Sequence, residues 1–184
     1  NKMLLKATSF FHGLVNGLRI LRGSAKDLFL PEFESEEYFH LARRIGYVEK
    51  KSLKPSQQLH VDFATHTAFV RKFLENHFKD NKLDLPRKAN IADIILSDSF
   101  SKGERNRVLA RYGFKDFQKA YLNISCMKRL FSKENLFLFA RFIVLACDWL
   151  SKKPDQDRVL NNLERFFDSE TTKDPQKMCE LLLM

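Results

Sequence analysis

Apolar residues recur at every third or fourth position almost from end to end of this chain, a period that only α-helices satisfy. Leu4, Ala7, Phe11, Leu14, Val15, Leu18 and Leu21 trace one stripe, and Gly23 follows as a stop. Gly13 and Gly17, four apart, cost this helix propensity but let a neighbouring helix come close. Ser35 is placed to cap a second helix, with Glu36 and Glu37 in its first turn where the macrodipole favours them. Tyr38, Leu41, Ala42 and Ile45 then face inward and Gly46 ends the element. Pro55 suits the first position of a third, long helix carrying Leu59, Phe63, Val70, Phe73, Leu74 and Phe78.

Residues 80–90 are polar, hold Pro86 and break the period, which marks a linker. Beyond it the pattern predicts short helices at 91–96 and around Val108, Leu109 and Tyr112, the latter ending at Gly113. Phe117, Ala120, Tyr121, Ile124, Met127, Leu130 and Phe131 form the next stripe, and a Phe-rich helix at 134–150 follows. Pro154 is expected to open another helix with Asp155 and Asp157 in its first turn, and Asp174 with Pro175 to open the last. No segment alternates as a strand does. The expectation is an all-α chain of two helical sub-bundles, 1–80 and 81–184, joined by a short linker near residue 85.

Composition excludes several classes. With 18 Phe, 6 Gly and 5 Pro in 184 residues, the chain is neither disordered nor collagen-like. Cys126, Cys147 and Cys179 offer no disulfide framework and no paired zinc ligands, which points to a reducing, cytoplasmic setting. The start at Asn1 shows no signal peptide, and the run 136–150 contains Arg141 and Asp148 and is too short to span a membrane. The chain begins with Asn and stops at Met184 in mid-pattern, as a piece of something larger would.

The net charge is +9, and residues 102–133 alone hold nine Lys and Arg against Glu104 and Asp116. Such a stretch, with Arg105, Arg107 and Arg111 as candidate contacts, could steer RNA, a nucleotide or an acidic protein surface. The same charges also suit the wet faces of amphipathic helices. The chain lacks the aromatic–basic motif of an RNA-recognition sheet and any zinc-finger signature, which argues against nucleic acid.

Catalytic constellations are missing from the pattern. His12, His40, His60, His66 and His77 make no metal motif, and His60 and His66, six apart, fall on different faces of a helix. Cys147 reads as a small core residue. Asp93 and Asp98 are five apart, and Asp155 and Asp157 are explained by capping. No phosphate cradle accompanies these carboxylates, so the expectation is no catalytic residue, no metal site and no cofactor in this chain alone.

Two blocks carry a resemblance. The first comprises residues 18–28 (LRILRGSAKDL), 39–47 (FHLARRIGY) and 62–71 (DFATHTAFVR). It resembles the helical bundle that follows a nucleotidyltransferase domain in the glutamine synthetase adenylyltransferase family and in related PII uridylyltransferases. The second begins at Tyr112-Gly-Phe and includes 151–167 (SKKPDQDRVLNNLERFF). It resembles the helical connector ahead of that family's second catalytic half, and together the blocks span most of 10–184.

Members of that family add AMP to a tyrosine of glutamine synthetase with one half and remove it with the other, under control of PII-type signal proteins and glutamine. The Gly-Ser and Asp-x-Asp elements of those halves have no counterpart here. The resemblance therefore implies an accessory, regulatory role in nitrogen metabolism. ATP and Mg would be used by the parent chain, and glutamine synthetase and a PII-type protein would be reached through it. Arg19, Arg22 and Lys26 by the end of the first helix, with Arg43 and Arg44 at the end of the second, are the candidate contacts to a nucleotide phosphate or an acidic surface. Pairing with the helix dipole also favours basic residues at those ends, and needs no partner to explain them.

Overall fold

The computed structural model describes residues 2–24, 26, 28–50, 53–78, 89–97, 100–169 and 174–184. They form nine helices and no strand, so the chain is all-α among the described residues. The helices are α1 (Lys2–Arg22), α2 (Glu36–Arg44), α3 (Pro55–His77), α4 (Ile91–Leu96), α5 (Lys102–Arg111), α6 (Phe117–Arg129), α7 (Leu136–Leu150), α8 (Gln156–Asp168) and α9 (Pro175–Leu183). Most of the expected linker, residues 80–88, lies outside the described residues, as does Asp98.

Local chemistry sets the helix ends. The Ser35 hydroxyl accepts from the Tyr38 amide at 3.2 Å, and the Asp174 carboxylate accepts from the Lys177 amide at 3.0 Å. Gly23, Gly46 and Gly113 each follow a helix with positive φ, a conformation that side-chain-bearing residues rarely adopt. Pro154 does not open α8. It precedes Asp155, which is the cap and accepts from the Arg158 amide, while Asp157, in the first turn, accepts the Lys115 amide at 2.9 Å. Its carboxylate thus ties the start of α8 to the start of α6.

Two clusters of buried side chains organise the helices. In the smaller, Leu14 and Leu18 of α1 meet Tyr38, Leu41 and Ala42 of α2 and Leu59 of α3. Gly17 permits this approach, because a Cβ there would lie 2.6 Å from Ile45 Cγ2; Gly13 has no such neighbour within 4 Å. The larger cluster gathers α4 to α9 around α7, whose Phe139, Ala140, Ile143, Val144 and Cys147 are wholly out of water. Helix α3 serves both, giving Leu59 to the first and Val61, Ala64 and Ala68 to the second. Helix α4 is buried along its whole length, which explains a six-residue helix with apolar residues on every face.

Candidate interaction surface and polar centre

Antiparallel packing of α3 against α7 brings together polar groups that the chain holds far apart. Going up α3 and down α7, His60 Nε2 lies 3.1 Å from Asp148 Oδ2, and Asp62 Oδ1 lies 2.8 Å from Arg141 Nη2. His66 and Phe69 then meet the Phe137 ring. Tyr47, from the loop after α2, donates its hydroxyl to Asp62 Oδ2 at 2.6 Å. One carboxylate therefore ties the α2–α3 loop to α7 through a Tyr and an Arg. Burial, then the Asp62 charge, pushes the Tyr47 hydroxyl well above the ordinary phenol range, so it stays a donor.

His66 sits between the rings of Phe10 on α1 and Phe137 on α7. Burial lowers its affinity for a proton; the Arg141 and Lys6 charges act the same way and Asp62 opposes them. A second acidic centre forms around Asp148. Burial first, and then this carboxylate, raise Tyr38, Tyr112 and the fully buried Cys147 thiol above their ordinary values. Cys147 is thus kept protonated, and burial likewise pushes Cys179 up to about 12. Among the described residues no group of three or more His, Cys, Asp or Glu is arranged to hold a metal ion, and no helix is long and apolar enough to cross a membrane.

The candidate basic contacts do not converge. Arg22 pairs with Glu37 at 3.0 Å, joining the end of α1 to the start of α2. Arg19 and Lys26 are exposed near that junction. Arg43 and Arg44 stand in the last turn of α2, about 10 Å further along the axis. Both are exposed, and neither has an acidic partner among the described residues. On α5, Arg105 lies over the Tyr121 ring at 4.0 Å and Arg111 donates to the Ala89 carbonyl, while Arg107 faces water. Arg22, Arg105 and Arg111 are therefore engaged within the fold, and of these candidates Arg19, Lys26, Arg43, Arg44 and Arg107 remain accessible.

Periodicity could not announce the α3–α7 pairs, yet one signal was present. Arg141 and Asp148 are the charged residues in an otherwise apolar helix and stand seven apart, two turns along the same face. Charges so placed in a core helix must find partners on the helix opposite.

Acidification tests the polar centre. His66 binds a proton more weakly folded than unfolded, so its contribution is present above its ordinary value of 6.5 and lost as the pH falls below it. Asp93, raised by burial, acts in the opposite sense. The informative comparison is therefore between parent and variant: urea midpoints of His66→Leu should fall less with acidification than those of the parent, and equal slopes would reject this account. Comparison of the chain with protein-family models, curated proteins and solved structures found no match.

Proposed function

We propose that this chain is a non-catalytic, regulatory helical scaffold of a glutamine synthetase adenylyltransferase-like protein, holding nucleotidyltransferase halves and contacting a regulatory partner. The observation that supports this reading is where the resembling segments meet. Tyr47 closes the second of them and bonds Asp62, which opens the third. Asp62 in turn binds Arg141, which lies between the two parts of the second block. Asp157, inside that block, accepts the Lys115 amide beside its Tyr112-Gly-Phe start. Polar contacts thus link the second and third segments of the first block directly, and reach the region of the second block through Arg141, as a positioning device requires.

Binding of the chain to glutamine synthetase and to a PII-type protein, measured with and without glutamine, tests the proposal. Saturable binding to either partner supports it; no binding to both in either condition removes it. If the accessible pair at the end of α2 forms the contact, R43E with R44E should weaken that binding by about tenfold or more while leaving the melting temperature near the parent's. An undiminished affinity would move the contact elsewhere.

A second reading has one observation in its favour. In residues 102–133 both acids serve as caps: Glu104 accepts from the Ser101 amide and hydroxyl, and Asp116 from the Lys119 amide. Lys102, Arg107, Lys115, Lys119 and Arg129 stay exposed around them. An RNA ligand held by these cations would show affinity falling steeply with added salt.

A further inference from the structure

The end of α7 and the facing side of α8 enclose a cleft of about 410 Å³, closed on its other sides by Phe33, Leu53 and Leu182. The volume falls in the range of small-molecule sites. Leu145, Ala146, Val159 and Leu163 make its walls apolar. The polar groups at its edge are few: Asp148, Gln57 and Lys152.

Their partners decide what the cleft could take. Lys152 Nζ is drawn to Glu34 at 2.8 Å. Gln57 turns its carbonyl to the Lys54 amide at 3.0 Å, which leaves its amide nitrogen as a donor at the edge. Asp148 holds His60 with Oδ2, and its Oδ1 has no hydrogen-bond partner among the described residues. That carboxylate shares the cleft with the rings of Phe33 and Trp149. Aromatic faces beside a carboxylate attract an ammonium group, and Trp149 already draws one, since Lys153 Nζ lies 4.1 Å from its ring centroid. Glu34, Asp148, Lys152 and Lys153 carry two negative and two positive charges, so the edge is neutral on a chain whose net charge is +9.

We propose that this cleft is a binding site for a small amphipathic amine, its apolar body between α7 and α8 and its ammonium group against Asp148. The site is independent of the scaffold role proposed above, because it involves neither the α2 arginines nor the Tyr47–Asp62–Arg141 link.

Trp149 is the single tryptophan of the chain and lines the cleft, so its fluorescence reports occupancy directly. Octylamine, octanol and octanoate, matched in chain length and different in head group, should be titrated separately into the whole chain. Octylamine is expected to give a saturable emission change at a concentration at least about tenfold below that needed for octanoate, with octanol between. V159F, which fills the cleft from α8, should abolish the response while the far-ultraviolet circular dichroism stays that of the parent. D148N should remove the preference for amine over alcohol. Asp148 also holds His60, so if D148N fails to fold, the ranking of the three probes on the parent and the loss in V159F still decide. Equal affinity for amine and carboxylate, no saturable response to any probe, or an unchanged response in V159F would each overturn the proposal.

Discussion

Asp93→Ala is expected to lower the unfolding free energy by about 3–5 kcal/mol, a large share of the stability of a domain this size. Asp93 is 1% exposed on the buried helix α4, and its Oδ2 faces the Arg71 guanidinium of α3. The same oxygen accepts the Asn90 amide at 2.6 Å, and the Asn90 side chain accepts from Ala92 and donates to the Ala64 carbonyl. One carboxylate thus completes a helix cap, answers a cation and fixes α4 on α3. Burial pushes its proton affinity up and Arg71 pulls it down, so its charged form is costly to hold in place. Asp93→Asn keeps the cap acceptor and should cost clearly less than alanine. The pair Asp93→Leu with Arg71→Met should recover much of the loss, since an apolar pair can replace a buried ionic one. Urea denaturation of the four proteins checks the series; a loss below about 1 kcal/mol for Asp93→Ala would reject the role given to it.

Phe139→Ala should cost about as much, about 3–5 kcal/mol, by a different cause. Its side chain is wholly buried in α7 and stacks on Phe131, with ring centroids 4.6 Å apart. Phe131 also meets Phe167 of α8, which in turn meets Phe142 on the next turn of α7. Removing the ring leaves a hole at the junction of three segments whose helices hold each other in place, so collapse around it is hindered. Phe139→Leu fills part of the space and should cost less than half as much. Thermal unfolding distinguishes the two; equal midpoints for alanine and parent would show that the site relaxes freely.

Much of this architecture could be read before any coordinates, where the information was local. Ile91–Leu96 was marked by an apolar run between Asn90 and Ser97, and Ser35, Pro55, Asp174 and Gly113 punctuated their helices as their backbone chemistry demands. Pro154 misled because Asp155, one residue later, is the better cap. The candidate contacts were less legible. Nothing near Arg22 in the chain announces Glu37, and Arg111 is drawn inward by a carbonyl 22 residues away. Surface charge is counted easily from a sequence, but which cations remain available depends on packing between distant segments. The pairing of Arg141 with Asp62 was half visible, as a charge in an apolar stripe without a stated recipient.

The placement of α3 has a mechanical consequence. A single rod of 23 residues, about 35 Å long, has its first turns wedged beside α1 and α2 and its flank clamped along α7. A close-packed lever of this kind cannot absorb a push by bending locally. Tilting it from the α2 side would drag Asp62 and His60 across the face of α7, so a displacement within the smaller cluster is felt by the helix at the heart of the larger one.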